Sequence, residues 1–97
     1  MNTTAHYLRK LQQFKQKYSQ EYGIERIGIF GSVARGEQTE NSDVDIYFEA
    51  DKMSLFRMGG LMYDLREFLG TSVDLVHNTK KLNPRFRQQI EKDMIYV

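Results

Sequence analysis

Between Thr4 and Tyr22 the apolar side chains Tyr7, Leu11, Phe14, Tyr18 and Tyr22 recur every three or four residues. That is the stripe of an amphipathic helix, with Asn2, Thr3 or Thr4 available as its cap and Gly23 as its stop. The period then shortens. Ile24 to Phe30 alternates Ile27 and Ile29 with Gly28 and Phe30, which predicts a short strand buried on both faces. Gly31 closes that strand with a tight turn, residues 32–36 fit one helical turn, and Glu37 to Ser42 is a polar loop without period. Val44 to Phe48 predicts a second strand, on which Val44, Ile46 and Phe48 point one way and Asp43, Asp45 and Tyr47 the other. The apolar set belongs to the core, so the carboxylates are left facing an open side.

Lys52 to Leu69 carries Leu55, Met58, Met62, Leu65 and Leu69 at helical spacing, with Gly70 placed as a C-terminal stop. Gly59-Gly60 interrupts it. Each costs about 1 kcal/mol against alanine in a helix interior, which points to close packing over the sheet or a local kink. A phosphate loop is disfavoured there because no strand leads into it. Ser72 to His77 predicts a third strand, with Val73 and Leu75 on one face and Asp74 and Val76 on the other. Asn83-Pro84 then opens a last helix with Phe86, Ile90 and Met94 as its buried stripe, and Ile95 to Val97 suits a short edge strand.

Composition narrows the classes. Ninety-seven residues make a single domain, 1–97, with one core. Fourteen Lys and Arg against 13 Asp and Glu leave a formal charge of +1, so no global field supports direct nucleic-acid binding. The absence of cysteine removes disulfides and thiolate zinc sites. No apolar run approaches the roughly 20 residues that cross a bilayer, and Asn2 to Arg9 is too polar for a signal peptide. The expectation is a cytoplasmic protein without a membrane partner.

The chemistry concentrates in one spacing: Gly31-Ser32, ten residues, then Asp43-Val44-Asp45. Composition alone would place Gly-Ser at one fixed distance before Asp-x-Asp in roughly one such chain per thousand. Two carboxylates two positions apart on one strand face lie about 6.6 Å apart at the backbone. Their oxygens can converge on shared cations, and two hard cations about 3.5–4 Å apart can hold both the attacking and leaving oxygens of a phosphoryl displacement. Asp74 is the natural third carboxylate if the three strands are adjacent, completing a metal site or accepting the proton of an incoming hydroxyl. Its alternative role is a solvated strand-end aspartate.

Gly31-Ser32 sits at a strand-to-helix junction, where free N–H groups favour anions, glycine permits close approach and the serine hydroxyl can donate to phosphate. The bland alternative is a turn glycine and a helix-capping serine. Arg35, one helical turn on, suits neutralisation of a triphosphate or is simply solvated. His6 and His77 read as surface or packing residues. Lys80, Lys81, Arg85 and Arg87 form a basic cluster, a solvated face or a docking surface for an acidic partner.

Gly31-Ser32-Val33-Ala34-Arg35-Gly36, Ser42-Asp43-Val44-Asp45-Ile46 and Val73-Asp74-Leu75-Val76 together resemble the minimal nucleotidyltransferases (MNT) of the DNA polymerase β-like superfamily. The resemblance covers nearly the whole chain. It implies an α/β (α+β) fold with a small mixed sheet of three or four strands and helices packed on one side. It further implies that Asp43, Asp45 and Asp74 are catalytic and bind Mg²⁺ as two ions, while Gly31, Ser32 and Arg35 hold the nucleotide.

The implied reaction is attack of an acceptor hydroxyl on the α-phosphorus of ATP, releasing pyrophosphate. Chains of this size in the family are typically antitoxins that adenylylate a tyrosine of a partner HEPN-domain ribonuclease toxin. Two alternatives stand beside that reading: transfer to a small-molecule hydroxyl such as an antibiotic's, and a non-catalytic antitoxin that acts by binding alone.

Overall fold

The computed structural model describes residues 2–97. Its elements in chain order are α1 (Thr4–Tyr22), β1 (Ile24–Phe30), α2 (Gly31–Arg35), β2 (Val44–Ala50), α3 (Leu55–Leu69), β3 (Val73–His77), α4 (Pro84–Glu91) and β4 (Ile95–Tyr96). Thr3 is the residue that caps α1, its hydroxyl accepting from the His6 N–H at 3.1 Å, and Gly23 ends the helix in the left-handed region. Asn83 caps α4 with Pro84 in its first turn.

The strands form one four-stranded sheet in the order β3-β2-β1-β4. β1 is antiparallel to β2 and β4, whereas β2 and β3 are parallel, with α3 as the crossover between them. The tail predicted as an edge strand is β4, which pairs Gly28 with Tyr96 and Ile29 with Ile95. Gly28 is needed there, because a Cβ would lie 2.7 Å from the Ile95 carbonyl oxygen.

One face of the sheet carries the main core. Ile27 and Ile29 from β1, Val44, Ile46 and Phe48 from β2, and Val73 from β3 are buried against Tyr7, Leu11 and Phe14 of α1 and Leu61, Leu65 and Leu69 of α3. Each such leucine, isoleucine or phenylalanine stabilises the fold by about 1.5–3 kcal/mol through apolar burial. His77 belongs to this packing, stacked on Phe48 at 4.5 Å with Nε2 3.2 Å from the Ala50 carbonyl oxygen. No helix among the described residues is long and apolar enough to cross a membrane.

Four expectations need correction. In α3 Leu65 and Leu69 are buried and Met58 and Met62 pack against the core as expected, but Leu55 is 88% exposed and Leu61 is buried in addition. Ser54 caps the helix at its first turn, where Leu55 and Phe56 are both exposed.

Of the α4 stripe Ile90 alone is fully buried; Phe86 is 39% exposed, and Met94, beyond the helix end, is partly buried against the same cluster as Ile90. Helices are also not confined to one side: Ile90 of α4 is buried with Phe30 and Tyr47 in a second, smaller cluster on the opposite face. Of the two central glycines of α3, Gly60 does permit close packing, but against the Tyr22 hydroxyl of α1 rather than over the sheet; Gly59 faces open space.

Candidate active site

Alternation along β2 sends Asp45 to the face opposite the main core, and the register then brings it two neighbours. Its antiparallel partner is Phe30, the last residue of β1, and its parallel partner is Asp74 of β3. Asp43 lies one residue before β2 and is exposed, as is Asp74, whereas Asp45 is half-buried. The Asp45 carboxyl is pushed above the ordinary aspartate value, chiefly by burial and then by the charges of Asp74 and Asp43, with Arg35 opposing. Asp74 and Asp43 are therefore close enough to Asp45 to disfavour its charged form.

Phe30 leads directly into Gly31, which adopts φ +75° at the start of α2. A side chain at Gly31 would meet the Asp45 carboxylate, whose Cγ would be 3.1 Å from the added Cβ. Glycine here is required both by the left-handed backbone and by the close approach of the acid. The capping role considered for Ser32 does not occur: the cap position is Phe30, with no side-chain hydrogen bond to the helix end. The first turn of α2 thus offers backbone N–H groups not taken up by a side-chain cap, with the half-exposed Ser32 hydroxyl beside them.

The turn is anchored from a distance. Thr4 Oγ1 of α1 donates to the Val33 carbonyl oxygen at 2.5 Å, and Gly36 ends α2 in the left-handed region. Arg35, expected to face a triphosphate, is held by Asp93 at 2.7 Å and Glu37 at 3.1 Å while remaining largely exposed. Asp93 had no local sequence signal for this role, being 58 residues from its partner.

Acidic oxygen donors on adjacent strand ends, with mutual repulsion to be relieved, fit a hard divalent cation such as Mg²⁺. Among the described residues no group of three or more His, Cys, Asp or Glu side chains already stands clustered as metal ligands. What the register does provide is Asp45 and Asp74 side by side, with Asp43 one residue before β2.

The sequence pattern of the family described as "Nucleotidyltransferase domain" matches residues 11–97. The chain belongs to this family. The nucleotidyltransferase is 38% identical to "Putative protein adenylyltransferase MJ1379" of Methanocaldococcus jannaschii over 100% of both chains. It is 34% identical to "Protein adenylyltransferase MntA" of Thermococcus cleftensis over 86% of this chain and 84% of that one.

Among solved structures it resembles a "putative minimal nucleotidyltransferase" at 32% identity and TM-score 0.79, covering 97% of this chain and 95% of that one. It also resembles a chain from a toxin–antitoxin crystal structure with AMP-PNP at 25% identity and TM-score 0.71, covering 91% of this chain and 69% of that one. The mixed four-stranded sheet with Asp45 and Asp74 side by side is thus the nucleotidyltransferase fold, and the chain is a transferase.

Proposed function

We propose that this nucleotidyltransferase is an Mg²⁺-dependent protein adenylyltransferase that moves AMP from ATP to a tyrosine hydroxyl of a partner HEPN ribonuclease toxin and so silences it as an antitoxin. The observation that carries this is the closed contact of Gly31 with Asp45 beside Asp74, which sets a phosphate-receiving turn against paired carboxylates. The full-length likeness to a relative named as a protein adenylyltransferase supports a protein acceptor, and the toxin–antitoxin neighbour with AMP-PNP supports ATP and a toxin partner. The HEPN class of the partner follows from the family resemblance.

Asp43, Asp45 and Asp74 would hold Mg²⁺, which would supply neutralisation of phosphate charge and polarisation of the reacting oxygens. The N–H groups of the first turn of α2 and the Ser32 hydroxyl donate to the triphosphate oxygens. Arg35 exchanges its exposed carboxylate partners for the more highly charged nucleotide. Asp74, exposed at the rim, accepts the acceptor's hydroxyl proton as its oxygen attacks the α-phosphorus. The new O–P bond forms while the bond from the α-phosphorus to the bridging oxygen breaks, and pyrophosphate leaves with that electron pair.

Incubation with the purified toxin, Mg²⁺ and α-labelled ATP tests the reading. Label should appear on the toxin and vanish on toxin whose acceptor tyrosine is phenylalanine. Transfer that persists when Asp43→Asn and Asp45→Asn are combined would sink it.

A further inference from the structure

The last helix lies on the catalytic face, not on the face covered by α1 and α3. Ile90 is buried against Phe30 and Tyr47, and Asp93, just past the helix end, holds Arg35 of α2. On the solvent side of α4, Asn83, Arg85, Phe86, Gln88, Gln89 and Lys92 line a depression of about 480 Å³.

Phe86 is a large apolar side chain left 39% exposed, and its ring meets Phe30 edge-to-face with centroids 6.4 Å apart. Phe30 is the chain neighbour of Gly31 and the cross-strand partner of Asp45. A ligand on Phe86 is therefore one aromatic ring away from the residues that receive the phosphates.

The groups around that ring form a coherent set. Every nucleobase has a π-face that stacks on an aromatic side chain. Glutamine amides carry a donor and an acceptor side by side, the pattern that pairs with an adenine edge. Residues 79–92 also concentrate positive charge, with Lys80, Lys81, Arg85, Arg87 and Lys92 against Glu91, in a chain of net +1. A nucleoside triphosphate, planar at one end and polyanionic at the other, matches this arrangement.

The geometry points to Phe86 as the platform on which the base of the nucleotide stacks, with Gln88 or Gln89 placed to read its edge and Arg85 and Lys92 as flanking cations. This assignment rests on the proposal that Gly31 and Ser32 receive the triphosphate. It does not depend on which acceptor takes the AMP.

The chain contains no tryptophan, so Phe86→Trp installs a single fluorescent reporter at the platform. ATP binding in Mg²⁺ is measured by calorimetry for the natural protein and for Phe86→Leu, which keeps the apolar contact with Phe30 but removes the ring. Phe86→Leu should weaken ATP about tenfold with Tm little changed, and Phe86→Trp should restore binding. The fluorescence of the tryptophan variant should be quenched by ATP and not by inorganic tripolyphosphate.

Unchanged ATP affinity in Phe86→Leu would show that Phe86 only packs on Phe30 and would overturn the assignment. Equal quenching by tripolyphosphate would overturn it as well. Neither measurement contains the toxin. Failure of label transfer with ATP binding still sensitive to Phe86 would count against the acceptor reading alone, and intact label transfer with ATP binding insensitive to Phe86 would count against the platform alone.

Discussion

The two faces of one sheet are built from the same strands and do opposite work. Towards α1 and α3 the strands present Ile27, Ile29, Val44, Ile46, Phe48 and Val73, all buried, in an interior without charge. One residue along each strand, the other face presents Phe30, Asp45, Tyr47, Asp74 and Val76, with only a small apolar cluster beneath α4. Alternation lets a chain of this size keep its stability on one side and gather repelling carboxylates on the other.

The comparison repeats along β2 itself. Asp45 and Glu49 share a face, yet their carboxyls shift in opposite directions. Glu49 is held below the usual glutamate value: burial would raise it, but hydrogen bonds from Arg26 at 2.7 Å and the Tyr47 hydroxyl at 2.8 Å prevail. Asp45 is raised by burial and by Asp74 and Asp43, and only the charge of Arg35 opposes the shift. One end of the strand face is satisfied and structural; the other is left wanting a counter-charge, as a binding site does.

The largest expected effect is on the charged face. Asp45→Asn should lower kcat/KM for AMP transfer by about 1,000-fold or more while leaving the circular dichroism spectrum intact, as removal of a metal-binding carboxylate would. Activity within tenfold of the natural protein would break the division of labour between the faces. On the other face Leu65→Ala should cost about 2–5 kcal/mol of unfolding free energy in urea. At permissive temperature the folded fraction should keep its turnover; loss of turnover in molecules shown to be folded would mean that the core tunes the site.

Next comes a pH signature. The folded state binds the Asp45 proton more tightly than the unfolded chain does, so this carboxyl stabilises the fold below its unfolded pKa and that contribution is lost as pH rises through its elevated folded pKa. In EDTA, the Tm of Asp45→Asn relative to the natural protein should therefore increase between about pH 4 and pH 7. Glu49 acts with the opposite sign, its contribution present above the unfolded pKa and lost as pH falls through the lowered folded pKa. A Tm difference for Asp45→Asn that is flat across this range would show that Asp45 is not held in a repelling cluster. The smallest effect is expected at Phe56, 91% exposed on the first turn of α3, where Phe56→Ser should change stability by no more than about 0.5 kcal/mol.

Much of this organisation is legible along the chain. The 4-3-4-4 stripe of α1, the Asn83-Pro84 start of α4 and the Gly-Ser to Asp-x-Asp spacing are local patterns, because caps, turns and alternation act between residues a few positions apart. The exposure of Leu55 was not legible, because an apolar residue at helical spacing does not show whether another element reaches it. Nor was the position of α4, since Phe86, Ile90 and Met94 describe an apolar stripe without saying which face of the sheet it meets.

The sequence alone determined which residues alternate, which turn must be glycine and which carboxylates are kept from the core. Tertiary structure decided that Asp45 and Asp74 are register partners, that Arg35 meets Asp93 58 residues away, and that α4 returns to the face that carries Asp45, with Phe86 against Phe30. Those contacts join segments with no local coupling. They exist because burying Ile90, Phe30 and Tyr47 together is favourable only once the sheet has formed.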